Sequence, residues 1–210
     1  MSKIQEIAAA VEAGKAKIVV GLVEEAIKEG CDPTEILNAG MIDAMGIVGD
    51  KFKKNEIFVP EMLVAARAMK KGVEVLKPHL AGDSSATIGK YIIGTVAGDL
   101  HDIGKNLVAM MIESAGFEVI DLGVDVPAEK FVEAIKENPD CKVVGVSALL
   151  TTTMPAMKDT VKAIIDAGLQ SQVKIMVGGA PITQEFCDEI GADAYTTDAA
   201  SAASVAKTLV

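Results

Sequence analysis

A chain of 210 residues that is half hydrophobic, only 3% aromatic and free of tryptophan must build its core from Ala, Val, Ile, Leu and ten Met. That suits helices packed on helices or on a parallel sheet. Its formal charge of −10 argues against nucleic acid or an anionic membrane as a partner, because both demand basic patches.

No apolar run approaches the length of a membrane-spanning helix, and the opening "MSKIQEIAAAVEAG" lacks a signal-peptide pattern. Cys31, Cys141 and Cys187 are far apart and form no CxxC pair, which speaks against a zinc knuckle or an iron–sulfur cluster. Isolated thiols point to a cytoplasmic location, with buried filler as their role.

In chain order, residues 1–78 read as a small all-α bundle of about four helices. "KAKIVVGLVEEAIKEG" has helical apolar spacing and stops at Gly30. "DPTEILNAGMIDAMGIVGDKF" opens on Asp32 as N-cap with Pro33 at the first helical position. "VPEMLVAARAMKKGVEVL" begins at Pro60 and ends before Pro78. Residues 79–88 lose this period to Pro, Gly and Ser and read as a linker. His79 lies there, without a role.

From residue 89 to 210 the period changes. The runs "YIIGTV", "FEVIDLG", "KVVGVSAL", "KIMVGG" and "AYTT" alternate with helical stretches beginning near Gly104, Pro127, Met154, Ile182 and Ala199. Alternation of this kind predicts an α/β doubly wound five-stranded parallel sheet, flavodoxin-like, with strand order 2-1-3-4-5. In such sheets ligands bind beyond the carboxyl ends of the strands, where the winding reverses. The loops after strands 1, 3 and 4 are "AGDLHDIG", "SALLTTT" and "GGAP", so three unusual segments are expected at one cleft. Taken singly, each has a plain reading: Asp99 or Asp102 as a helix cap, Ser147 and Thr151, Thr152 and Thr153 as caps, and Gly178 and Gly179 as turn residues.

Taken together they resemble the cobalamin-binding signature D-x-H-x-x-G, S-x-L and G-G. Asp99, His101 and Gly104 match the first segment, Ser147 and Leu149 the second, Gly178 and Gly179 the third. The intervals are just over forty residues and then just under thirty, as in that family. The bundle ending "DKFKKNEIFVPEMLVAARAMKKGVEVL" is similar to the cap that precedes the cobalamin domain in methionine synthase and in corrinoid proteins of methyltransferase systems. Those serving methylamine, methanol, methoxyaromatic or betaine methyltransferases resemble the whole chain.

The resemblance implies a cobalamin cofactor (methylcobalamin, cob(I)alamin or a related corrinoid) whose own base is displaced, with His101 as the lower ligand to cobalt. A neutral imidazole suits such a metal, and its second nitrogen needs a partner, assigned to Asp99. Asp102 is expected to turn toward backbone N–H groups of the helix start. Gly98 and Gly104 give the loop room beside the macrocycle, and Ile103 joins the contacting residues. Ser147 and Leu149 would line the slot for the nucleotide tail, Gly178 and Gly179 would let it pass, and Thr151 would add a contact or cap the helix. Lys105 is read as a solvated lysine, with the tail phosphate as its alternative partner. Met41, Met45, Val48 and Phe52 share one helical stripe. Its outer members Met45, Val48 and Phe52 would shield the upper face, with Gly46 and Gly49 beside them.

The function implied is a methyl carrier, one component of a cobalamin-dependent methyltransferase system rather than a complete enzyme. A substrate-specific methyltransferase would load it from a small methylated substrate. An acceptor methyltransferase would unload it onto tetrahydrofolate or a thiol, and a reductive reactivation protein would restore it. The 79–88 segment would act as a hinge for the cap. Two rivals share the signature: the cobalamin subunit of an adenosylcobalamin-dependent mutase, which has little use for this cap, and a cobalamin-dependent sensor, whose DNA-linked form needs a basic reading helix. A phosphoacceptor receiver needs an aspartate where this chain has Ser147.

Overall fold

The computed structural model describes residues 2–80 and 87–210. The chain divides into two compact units, one of residues 1–86 with Ser114–Gly116, the other of residues 87–113 with 117–210. Of the expected linker, residues 81–86 lie outside the described residues, and His79 closes a short exposed 3-10 turn.

The first unit contains α1 (Lys3–Glu12), α2 (Ala16–Lys28), α3 (Pro33–Leu37), α4 (Asp43–Lys53) and α5 (Val59–Leu76). Side chains satisfy the free N–H groups of the helix starts. Ser2 and Gln5 cap α1 reciprocally, and Asp32 accepts the Thr34 N–H at 3.2 Å with Pro33 following it. α3 runs through a π-helical turn, Asn38–Ile42, directly into α4. That turn inserts an extra residue into the ladder. Met41 lies within that turn and is buried.

Met41 belongs to the bundle core. Its Cε lies 2.9 Å from where a Cβ on Gly72 of α5 would sit, beside Val19 of α2. Met45 and Val48 are buried, Phe52 is half-buried, Gly46 is exposed with nothing near its Cβ position, and Gly49 is buried.

The second unit alternates β1 (Lys90–Thr95), α6 (Ile103–Ser114), β2 (Glu118–Asp121), α7 (Ala128–Glu137), β3 (Cys141–Ser147), α8 (Met154–Asp166), β4 (Lys174–Gly178), α9 (Gln184–Ile190), β5 (Ala194–Tyr195) and α10 (Ala199–Thr208). All pairings are parallel, in the order β2-β1-β3-β4-β5. The expected topology is found, with β5 cut to two residues because "TT" leaves the ladder. Strand side chains alternate between faces. Ile92, Val144, Val146, Ile175 and Val177 join Phe131 and Ile135 of α7, Met157, Val161 and Ile164 of α8, and Ile190 of α9 in one core. Tyr91, at an alternate position of β1, meets the Phe117 ring edge-on at 6.1 Å. Each such buried side chain contributes roughly 1.5–3 kcal/mol.

Cys141 and Cys187 are buried, whereas Cys31 is only half-buried, so the filler reading holds for two of the three thiols.

The alanine-rich α10 depends on its cap. Asp198 takes the Ser201 N–H at 2.8 Å and the Ser201 hydroxyl at 2.7 Å. Partial burial works against its ionisation, but these donors outweigh it and hold the carboxyl below its ordinary range. A depressed carboxyl stabilises the fold above about pH 4, and that contribution fades as the pH falls through its folded-state value. Asp198→Ala should cost about 1 kcal/mol at neutral pH. Urea unfolding at pH 7 and again near pH 3 should show the deficit shrinking in acid.

Candidate cofactor site

β1 and β3 flank the point where the winding reverses, and the sequence-predicted residues gather at their carboxyl ends. Thr95, Ser147 and Gly178 stand side by side in register as the last residues of β1, β3 and β4. The β1–α6 loop emerges there carrying Gly98, Asp99, His101 and Asp102, and the β3–α8 loop brings Leu149 and Thr151.

Asp99 is the hub. Its carboxylate has no solvent exposure, a costly burial for a charge unless donors surround it. Oδ1 accepts from the His101 backbone N–H at 3.1 Å and pairs with His101 Nδ1 at 2.7 Å. Oδ2 accepts from the backbone N–H groups of Leu149 at 2.7 Å and Leu150 at 3.4 Å, and from the Thr153 hydroxyl at 2.8 Å. Burial pushes the carboxyl up. The Leu149 N–H, the His101 ring and N–H and the Thr153 hydroxyl pull harder the other way, holding it well below the usual carboxylate range. An ionised Asp99 draws the ring proton to Nδ1, which leaves the lone pair on Nε2. The imidazole is half exposed, at 50% of its side-chain surface. It is therefore oriented, fixed in tautomer and open on one edge, as a metal-binding histidine must be.

Large apolar side chains surround it in sequence and in the facing loop: Leu100 at 72% exposure, Ile103 at 84%, Leu149 at 42% and Leu150 at 40%. Apolar exposure concentrated at the end of a sheet is costly in water and marks a surface made to be covered. Gly104 and Gly178 have nothing within 4 Å of where a Cβ would be, so both border open space. Gly98 takes φ +79°, the left-handed turn the loop requires.

Two expectations change, those for Asp102 and Lys105. Asp102 does not reach the backbone N–H groups of α6, because its Oδ2 takes the Asn106 side-chain amide at 3.1 Å. Lys105 is not solvated. Its side chain is 2% exposed, and its ammonium meets Asp121 Oδ2 at 2.5 Å and Asn106 Oδ1 at 2.7 Å. Gly179 is needed by the chain itself, since a Cβ there would stand 1.7 Å from the Ala148 carbonyl oxygen. Ser147 is half-buried at its strand end, and Thr151 is exposed in a 3-10 turn, Thr151–Thr153, ahead of α8.

Two contributors escaped the sequence reading. Thr153 does not cap α8 with its side chain but places its hydroxyl between Asp99 and the Leu150 carbonyl. Thr95, fully buried, donates its hydroxyl to the His101 carbonyl at 3.0 Å. The signal for Thr95 was a lone hydroxyl at the end of the apolar run "YIIG". For Thr153 there was none, since three consecutive threonines look alike.

A B12 binding domain family matches residues 89–204, and a second family of the same description matches residues 3–77. The chain is 46% identical over 209 residues to dimethylamine corrinoid protein 1 of Methanosarcina acetivorans, covering 99% of this chain and 97% of that protein. It is 47% identical over 189 residues to trimethylamine corrinoid protein 2 of the same organism, covering 89% and 86% respectively. Among solved structures, the methanol:cobalamin methyltransferase complex from Methanosarcina barkeri aligns with TM-score 0.87 at 32% identity, covering 98% of this chain and 78% of that one. A cobalamin-binding protein from Desulfitobacterium hafniense aligns with TM-score 0.83 at 31% identity, over 100% of both chains. Among the described residues no helix is long and apolar enough to cross a membrane. The oriented imidazole, its apolar surround and the open space at Gly104 and Gly178 fit a corrinoid, and the chain belongs to the B12-binding corrinoid proteins of methyltransferase systems.

Proposed function

We propose that this chain is the methyl carrier of a methylamine-type system, holding its corrinoid through His101 as the lower axial ligand. The observation that carries this reading is the half-exposed imidazole whose Nδ1 is 2.7 Å from the fully buried Asp99 carboxylate. When bound, the corrinoid supplies a cobalt centre that accepts and gives up a methyl group, while the protein supplies orientation and electrostatics. His101 offers Nε2 to the metal. Asp99 fixes the tautomer, and Thr153 with the Leu149 N–H keeps Asp99 ionised. Leu100, Ile103, Leu149 and Leu150 cover the macrocycle and exclude water. Gly98, Gly104 and Gly178 leave room beside it, and Ser147 lines the tail slot with Thr151 at its rim. Asp102 holds the start of α6 through Asn106.

By the resemblance to corrinoid proteins, Met45, Val48 and Phe52 would shield the upper face and residues 1–78 would act as its cap, with 79–88 as the linker to the cofactor domain, 89–210. The similarity to dimethylamine and trimethylamine corrinoid proteins favours a small methylated amine as donor, delivered by a substrate-specific methyltransferase. An acceptor methyltransferase using a thiol or tetrahydrofolate, and a reductive reactivation protein, complete the cycle. The carrier works in the cytoplasm.

The direct test is the visible spectrum of the apoprotein reconstituted with aquacobalamin. The wild type should give the base-off, histidine-on form, and His101→Ala should bind the vitamin without that ligation. Identical spectra would refute His101 as ligand.

A further inference from the structure

Asp125 lies outside all three signature segments, yet the β2–α7 segment that carries it grips the histidine turn. We propose that Asp125 is a positioning residue for His101, a clamp that holds the Gly98–Asp99 turn from the side opposite β3. This inference rests on the reading of His101 as the cobalt ligand.

The geometry is reciprocal. Asp125 Oδ1 accepts the Gly98 N–H at 2.7 Å, while the Asp125 N–H donates to the Asp99 carbonyl at 3.0 Å. Two consecutive residues of the turn are thereby tied to a single residue just beyond the next strand, β2. To make both bonds Asp125 adopts φ +54°, one of two non-glycine residues with positive φ among those described. Such a conformation is unfavourable for most side chains and best tolerated by Asn and Asp, and it persists where surrounding bonds fix it.

The segment around Asp125 is fastened on both sides. The Gly123 carbonyl accepts from the Thr95 N–H at 3.0 Å, and the Val126 N–H donates to the Thr95 carbonyl at 2.9 Å. At its start, Asp121 takes Gly123 N–H on Oδ1 at 2.9 Å and the buried Lys105 ammonium on Oδ2. Lys105 sits in the first turn of α6, just past His101. The segment 121–126 thus holds both ends of the loop that presents the imidazole, and it restricts where Asp99 can place its carboxylate. Asp99 in turn holds His101 by ring and backbone. A slack turn would let Asp99 drift relative to the Leu149 N–H and would spread the ring over more orientations, which weakens any metal bond that depends on one of them.

Three substitutions separate anchor from conformation. Asp125→Asn keeps an acceptor oxygen and tolerates the left-handed backbone. Asp125→Gly keeps the backbone and loses the anchor. Asp125→Ala loses both. Thermal melting of each apoprotein identifies a variant that has failed to fold, and the glycine variant has no conformational reason to do so.

Amide hydrogen exchange in the apoprotein is the first readout. In Asp125→Gly the His101 and Leu149 amides, both bonded to Asp99 and neither to Asp125, should exchange about tenfold faster, while Asp125→Asn stays within about twofold of wild type. The second readout is the spectrum with aquacobalamin: histidine ligation should weaken about tenfold in Asp125→Gly and recover in Asp125→Asn. Wild-type exchange at His101 and Leu149 in the glycine variant overturns the clamp. If His101→Ala shows the wild-type spectrum, the ligand reading fails instead, and the exchange rates alone decide for or against the clamp.

Discussion

Replacing Asp99 with Asn should destabilise the apoprotein by about 2 kcal/mol and remove most of the histidine ligation, although the side chain keeps its size and shape. The reason is the donor count. Asp99 is an acceptor on both oxygens: the His101 ring and N–H converge on one, and the Leu149 N–H and Thr153 hydroxyl on the other. An amide has a single acceptor oxygen, so one side must face an NH2 group. If the NH2 faces Leu149, a buried backbone donor loses its partner and the Thr153 hydroxyl must reverse its role. If it faces His101, Nδ1 must become the acceptor, the ring proton moves to Nε2, and the nitrogen proposed as the cobalt ligand loses its lone pair.

The two arrangements fail differently, and two measurements separate them. Urea unfolding of the apoprotein reads the unsatisfied donor, and the visible spectrum after aquacobalamin addition reads the tautomer. Asp99→Ala should be worse on the first measure, since five donors lose this acceptor at once. Full retention of both stability and ligation in Asp99→Asn would mean that the carboxylate charge is not what fixes the ring.

How much of this was legible in the sequence divides along a physical line. The sheet and its order follow from five apolar runs separated by amphipathic stretches, because hydrophobic periodicity is a local property. The residues of the signature are likewise local in each segment, so Asp99, His101, Ser147 and Gly178 could be assigned to the ends of neighbouring strands before any coordinates. The partners of those residues were not legible. Asp99 meets Thr153 and Leu149 across a separation of some fifty residues, and nothing in "LLTTT" distinguishes the third threonine from the first. Lys105 looked solvated because lysine rarely buries its ammonium unpaired. Its partner Asp121 lies at the end of another strand. The π-helical turn at Asn38–Ile42 was invisible for a related reason: an inserted residue leaves the composition unchanged and only breaks the phase.

The two adjacent glycines after β4 should respond to the same substitution in opposite ways. Gly179→Ala should cost on the order of 4 kcal/mol or prevent folding, whereas Gly178→Ala should leave the apoprotein unchanged or raise its stability by less than about 1 kcal/mol. At Gly179 a Cβ would stand 1.7 Å from the Ala148 carbonyl oxygen and 2.8 Å from its carbon, on a backbone with φ +135°. The obstacle is main chain rather than the tip of a flexible side chain. Ala148 is itself fully buried and bonded through its N–H to the Gly178 carbonyl at 3.2 Å, so relief requires parting the ends of β3 and β4. At Gly178 the Cβ meets nothing within 4 Å, and the backbone is not left-handed. An added methyl there restrains the unfolded chain and projects into the space assigned to the cofactor tail. Thermal melting of the two apoproteins should therefore separate them by roughly 10–20 °C or by failure to fold. Cobalamin titration of the well-folded Gly178→Ala protein should show at least about tenfold weaker binding. Wild-type affinity in that variant would move the tail away from the β4 end and leave Gly178 as a residue of the strand alone.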